Sequence, residues 1–168
     1  YSNTLKHLFL NYTNIENLSP LSNIPLETLD LSHCSRIRDV SPVSHVKYLI
    51  LVKTLVSDIS SLKNVEQLDL DYCHKINDFR SLQGTIRLSV IKTNFCDRDL
   101  QYLNDTRAEL LILDARWTKL RNVDITNLEV KIINLEYCKD LTSFKKSNNP
   151  CISYLPKHYK IKNRIKSS

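Results

Sequence analysis

Seven six-residue segments of this chain superimpose: LFLNYT at 8, LDLSHC at 29, LILVKT at 49, LDLDYC at 68, LSVIKT at 88, LDARWT at 113 and INLEYC at 133. Their starts lie 21, 20, 19, 20, 25 and 20 residues apart. A period of this length constrains the fold more than any other feature of the chain. Each segment alternates an apolar residue with a variable one, as a strand with one face on a core must. One such unit cannot bury its own apolar face, so successive units must stack as coils of a solenoid, with their strands side by side and parallel.

The rest of each unit supports the same coil. Counting the segment as positions 4 to 9, position 1 is apolar or small: Leu5, Leu26, Val46, Val65, Thr85, Leu110 and Val130. Downstream, apolar residues recur at spacings of three, as in Ile15, Leu18, Leu21 and Ile24, which predicts a tight helical or 3-10 return. Ser19-Pro20 and Ser41-Pro42 fit the starts of such turns, with serine as the cap and proline in the first turn. In the fifth unit, about five extra residues with Asp97 ahead of Leu100 and Leu103 predict a true helix on the convex side.

Position 9 is Thr13, Cys34, Thr54, Cys73, Thr93, Thr118 and Cys138, and nothing else. After cysteine the next apolar residue comes three positions on (Ile37, Ile76, Leu141); after threonine it comes two on (Ile15, Val56, Phe95, Leu120). At this point the chain leaves the strand while still buried, so its backbone groups need new partners. A small side chain with a hydroxyl or S–H donor meets that need.

The pattern L-x-x-L-x-L-x-x-(T/C)-x-(x)-(I/L) resembles the leucine-rich repeat family over roughly residues 5 to 145. NLSPLSNIP and DVSPVSHV look like the short repeats of internalin-like proteins, and LDLSHCSRIRDV is similar to the cysteine-containing repeats of F-box substrate receptors. The resemblance implies an α/β fold: a right-handed leucine-rich-repeat solenoid, or horseshoe, with a parallel β-sheet on the concave face and short helical or 3-10 turns on the convex side. Residues 1–145 are expected to form an array of about seven repeats, and 146–168 a C-terminal cap and basic tail, with Ile152, Tyr154, Leu155 and Tyr159 closing the end of the core. Mixed arrays of this kind, in an Asn-, Lys- and Ile-rich chain, suggest by resemblance a protozoan or large-DNA-virus source. The first unit begins at once and the chain contains no methionine, so a piece of a longer protein is expected.

Reactive chemistry finds little support. The stretch LDLDYCHKI at 68–76 gathers two aspartates, a tyrosine, a cysteine and a histidine, but the repeat turns Cys73 inward and sends His74 into the turn, apart from it. Cys34 and Cys73 stand two coils apart, about 10 Å at ordinary strand spacing, too far for a disulfide. Cys96 and Cys151 lie outside the column, without activating neighbours. One glycine cannot build a phosphate-cradling loop, and no metal or cofactor motif is present. The expectation is a non-enzymatic chain without cofactor or metal.

The outward strand positions remain. Positions 5 and 7 supply Asp30, Ile50, Val52, Asp69, Asp71, Ile91, Asp114, Arg116, Asn134 and Glu136; position 8 supplies Tyr12, His33, Tyr72, Trp117 and Tyr137. Aromatics beside acids, with an apolar stretch at Ile50, Val52 and Ile91, make a protein-binding surface. Its acidic ladder suits a basic partner and disfavours nucleic acid. The chain's charge of +6 is concentrated at its end: Lys157, Lys160, Lys162, Arg164 and Lys166 supply five of the six, leaving +1 for residues 1–156.

The leading expectation is a protein-interaction module using the concave strands. Its alternatives are the substrate-recognition arm of a larger ubiquitin-ligase or effector protein, and an adaptor touching anionic surfaces through the tail. Five unpaired cysteines favour an intracellular setting, cytoplasmic or nuclear, while sequons at Asn11, Asn17 and Asn104 pull the other way. No apolar run is long enough to span a membrane.

Overall fold

In a computed structural model, which describes residues 4–106, 108 and 110–159, the chain winds into stacked coils. Each coil contributes a three-residue strand: β1 (His7–Phe9), β2 (Thr28–Asp30), β3 (Tyr48–Ile50), β4 (Gln67–Asp69), β5 (Arg87–Ser89), β6 (Ile112–Asp114), β8 (Ile132–Asn134) and β10 (Ile152–Tyr154). They form one parallel sheet in the order β1-β2-β3-β4-β5-β6-β8-β10. Its register matches the repeat: Leu8, Leu29, Leu49, Leu68, Leu88, Leu113 and Ile133 lie abreast. Behind them runs a single buried core from Leu18 to Leu141.

The Thr/Cys column closes the strand end as its chemistry predicts. In six of the seven coils the backbone N–H at position 9 donates to the carbonyl three residues back, as Thr13 does to Leu10 and Cys73 to Leu70. The side chains add a second set of bonds. Thr13 Oγ1 and Cys34 Sγ both donate to the Leu10 carbonyl, at 2.7 and 3.1 Å. Cys73 Sγ reaches back to the Leu51 carbonyl at 2.9 Å and lies 3.4 Å from the Thr54 hydroxyl. Every cysteine of the column follows a threonine coil and uses a carbonyl of that coil.

The returns on the far side are more varied than the spacing predicts. Three are 3-10 turns, Ser19–Leu21, Ser41–Val43 and Leu82–Gly84, and the fifth holds helix α1 (Asp97–Asp105) where it was expected. The sixth and seventh are instead extended, as β7 (Asn122–Asp124) and β9 (Ser143–Lys145), paired in parallel. Strand β7 lies against α1: the Asp97 carboxylate, at the helix start, accepts backbone N–H bonds from Arg121 and Asn122 at 2.7 and 3.1 Å. Asn104 of α1 accepts the Asn127 N–H at 2.9 Å.

The turn caps also differ. Ser19 and Ser41 are not the capping side chains; their N–H groups are the ones capped, by Asn17 Oδ1 at 2.9 Å and Asp39 Oδ1 at 2.8 Å. The bond recurs between Asp58 and Ser60, Asp78 and Arg80, and Asp124 and Thr126. An Asn or Asp two residues earlier reaches the free N–H with better geometry than serine has to its own turn, forming an Asx-turn. Hydrogen bonds from Ser41, Ser60 and Thr126 hold the Asp39, Asp58 and Asp124 carboxyls below the usual range.

The sheet runs one rung beyond the seven segments. Strand β10 pairs with β8, so Ser153 takes the place of the inward leucine. Of the residues expected to close the core, Leu155 and Tyr159 pack against it, whereas Ile152 and Tyr154 point away and are exposed. The strand alternates, and with Ser153 inward its neighbours must face out. At the other end, Leu8, Leu10, Ile15, Leu21 and Ile24 pack on the core but are only partly buried, with no coil among the described residues over them. The sole glycine is a matter of contact: a Cβ on Gly84 would lie 2.7 Å from the Lys63 carbonyl oxygen of the preceding coil.

A candidate binding face on the sheet

Position 8 of every coil is in the left-handed region: Tyr12, His33, Lys53, Tyr72, Lys92, Trp117 and Tyr137 have φ between 52° and 64°. All but Trp117 are the third residue of a four-residue turn closed by the position-9 N–H, a place that normally favours glycine or asparagine. A large side chain there costs about 1–2 kcal/mol. Two sets of contacts between coils offset that cost. The N–H of the strained residue donates to the next coil, as from Tyr12 to Ser32, Lys53 to Asp71 and Tyr72 to Ile91, each at 2.8 Å. The side chains then stack on one another.

The Tyr12 and His33 rings stack at 4.2 Å, and those of Trp117 and Tyr137 at 4.5 Å within 5° of parallel. Between these pairs, Lys53 and Lys92 sit on the Tyr72 ring, both 5.3 Å from its centroid, and Lys92 also lies 5.0 Å from the Trp117 ring. A cation–π contact contributes about 0.5–1 kcal/mol at an exposed site. The column is thus a stiffening spine along one border of the sheet face. Tyr12, Trp117 and Tyr137 nevertheless remain exposed. The two lysines went unnoticed as site residues, although their place in the aromatic column was the signal for them.

Next to the spine run the acids, and the first duty of several is local. Asp30, Asp69, Asp114 and Asn134, all at position 5, accept the N–H two residues on through Oδ1, at 2.8, 3.0, 3.3 and 3.1 Å. Position 5 of the fifth coil is Ser89, and there Asp71 of the preceding coil accepts both the Ser89 hydroxyl at 2.7 Å and the Ile91 N–H at 2.9 Å. The acidic ladder therefore ties down strand ends, and each carboxylate keeps acceptor capacity toward solvent.

The centre of the ladder is strained electrostatically. Burial pushes the Asp69 carboxyl up to about 6, against the Asx bond from Asp71, with the Asp71 charge adding to the rise. Burial likewise raises the Asp71 carboxyl. The neighbouring cation, Arg116, is engaged by Asp114, with its Nε 2.9 and 3.1 Å from the two oxygens and a second nitrogen at 2.9 Å. Beside them a shallow cavity of about 230 Å³ is lined by Tyr48, Gln67, Asp69, Arg87, Ser89 and Asp114. Ile50, Val52 and Ile91 are half-buried alongside, and Glu136 lies at the β8 end. The fifteen residues singled out from the sequence are all half-buried or exposed, at the strand ends or in the turns that directly follow them.

The reactive-looking groups are apart from this face. Cys34, Cys73 and Cys138 are buried, and burial raises the Cys73 and Cys138 thiols away from the thiolate. Cys96 and Cys151 are raised by partial burial as well. His74 is exposed and meets Tyr72 edge-on at 6.4 Å, while Cys73 points into the core. Among the described residues, no three His, Cys, Asp or Glu side chains converge on a site that could hold a metal ion. No helix among them is long and apolar enough to cross a membrane.

Stacked coils of about 20 residues, a parallel sheet on one side and a Thr/Cys column at the strand ends define a leucine-rich-repeat fold. A family model described as leucine-rich repeats in two copies matches residues 3–45. Among solved structures the chain is similar to an internalin of Listeria monocytogenes, with 19% identity and a TM-score of 0.57 over 89% of this chain and 63% of that one. No curated protein matches it by sequence.

Proposed function

We propose that the chain is a non-catalytic protein-interaction module that receives a basic segment of its partner on the outward face of the sheet. The observation that carries this reading is the half-buried Asp69–Asp71 pair, which forms no salt bridge among the described residues, the neighbouring Arg116 being engaged by Asp114. A guanidinium or ammonium group from a partner would relieve both carboxylates at once. Leucine-rich repeat proteins as a class bind protein partners, which supports the same reading. Five free cysteines support an intracellular setting, as does the engagement of two sequon asparagines, Asn17 in a turn cap and Asn104 in the core.

The test is capture from lysate by the immobilised chain, comparing the wild type with Tyr72→Ala/Trp117→Ala, with Asp69→Asn/Asp71→Asn and with Arg38→Ala on the far side. A specific partner should be lost in both face variants and kept by Arg38→Ala. Retention by both face variants would overturn the reading.

A further inference from the structure

The far side of the coils changes character next to α1. In the returns, Ser19, Ser41 and Ser60 hold one column, and Ser22 and Ser44, three residues on, hold another. The first column then becomes Arg80, and the second becomes Lys63 and Gln83. Beside them, the column of Asn23, His45 and Asn64 ends at Gly84, which contributes no side chain. Small hydroxyls thus give way to long nitrogen donors around an opening, in the coils that precede the helix. Here lies a recess of about 460 Å³, lined by Lys63, Asn64, Arg80, Gln83 and, from α1, Tyr102. Among the described residues its charged lining is Lys63 and Arg80, both cations.

The donors are held in place and still have protons to give. Arg80 Nε lies 2.9 and 3.1 Å from the two Asp78 oxygens and its Nη2 bonds the second of them, so the guanidinium is fixed while Nη1 makes no bond among the described residues. Gln83 Nε2 donates to the Tyr102 hydroxyl at 2.7 Å, which leaves the phenol's own proton free to donate. Lys63 Nζ has no partner among the described residues. Asp78 balances the charge of Arg80, and the charge of Lys63 remains. The acids Asp58 and Asp78 line a separate recess that shares Arg80 with this one. We propose that the recess beside α1 binds a phosphate group, with Lys63 and Arg80 Nη1 on its oxygens and the Tyr102 hydroxyl as a third donor. A phosphate ester brings three acceptor oxygens and a charge of about −1.5 to −2 at pH 7, and its bonds to cationic donors are charge-assisted. The site lies away from the sheet face and does not depend on what that face binds.

The test titrates the full nitrogen-15-labelled chain with inorganic phosphate, with N-acetyl-phosphoserine amide and with N-acetyl-serine amide, at constant ionic strength. Both phosphates should give saturable amide shifts at Lys63, Asn64, Arg80 to Gly84 and Tyr102, half-complete at about 1 mM or below, and the unphosphorylated amide none. Lys63→Gln should weaken the binding about tenfold. Tyr102→Phe should weaken it about threefold, and Arg38→Ala should leave it unchanged. Melting temperatures within about a degree of the wild type for Lys63→Gln confirm that the fold is intact. Tighter binding of the ester assigns the site to a phosphorylated chain, and equal or tighter binding of inorganic phosphate assigns it to the free ion. Either result upholds the phosphate site.

The absence of saturable shifts up to about 10 mM phosphate, or the same shifts with the unphosphorylated amide, overturns the proposal. Binding that Lys63→Gln leaves unchanged, or that Lys63→Gln weakens while Tyr102→Phe does not, reduces the site to an adventitious ion only and overturns it as well.

Discussion

Thr118 and Cys138, on neighbouring coils, share one acceptor: the hydroxyl lies 2.7 Å and the thiol 3.2 Å from the Ala115 carbonyl oxygen, with 3.4 Å between hydroxyl and sulfur. The same arrangement joins Thr13 to Cys34 at Leu10. Each pair bonds two coils at the point where the chain leaves the sheet. Cys73→Ala should therefore cost about 1–3 kcal/mol, through a lost buried bond and a small void, seen as a lower midpoint in urea. In the folded chain a thiol reagent should modify Cys96 and Cys151 and reach Cys34, Cys73 and Cys138 only on unfolding.

Gly84 lies where the coils come closest, with its missing Cβ facing the Lys63 carbonyl. Because the obstacle is backbone, it cannot rotate away as a side chain would. Gly84→Ala should destabilise by about 1–3 kcal/mol, measured by denaturant unfolding, even though alanine is normally the less flexible and better tolerated residue.

The left-handed column makes an opposite prediction at Lys53, where φ is 57°. Asparagine tolerates this region, so Lys53→Asn should raise stability by about 0.5–1 kcal/mol. At Trp117, by contrast, Trp117→Asn relieves the turn but removes the stack on Tyr137 and the contact with Lys92, and no gain is expected. Paired thermal melts of the two variants check the difference in sign.

Stability should depend on pH in two opposing windows. The folded chain holds a proton on Asp69 that the unfolded chain releases near pH 4, so its contribution weakens as pH rises from about 4 to about 6; the Asp71 carboxyl is raised as well and acts in the same direction. After allowing for solvent screening, the loss at Asp69 is about 1 kcal/mol. Asp39, Asp58 and Asp124 have lowered values, and their contribution is lost as pH falls below about 4. Melting temperature should thus peak between pH 4 and 5, and Asp69→Asn should flatten only the upper side.

The sequence made the sheet legible because its buried residues repeat with a fixed period: Leu29, Leu49 and Leu68 lie abreast as their spacing requires. The Thr/Cys column was readable for the same reason, since one position met one chemical need in every coil. What escaped was less periodic. The eighth rung was hidden because its inward residue is Ser153 rather than leucine. The extended returns at β7 and β9 pair with each other, and β7 lies against α1, tertiary contacts that local spacing does not encode. At the candidate site, the outward positions could be set out from the repeat, but not the ties among them. That Asp114 holds Arg116 within its own coil, or that Lys92 bridges Tyr72 and Trp117 of the neighbouring coils, follows from side-chain reach rather than from pattern.

The central claim is that the sheet face takes up a basic segment. Amide shift mapping of the nitrogen-15-labelled chain, titrated with an octapeptide of alternating arginine and serine, tests it most directly. The account predicts perturbations concentrated at Asp69–Tyr72, Ser89–Lys92, Asp114–Trp117 and Asn134–Tyr137, with α1 and the 3-10 turns unmoved. Shifts centred on those convex elements, or none at saturating peptide, would contradict it.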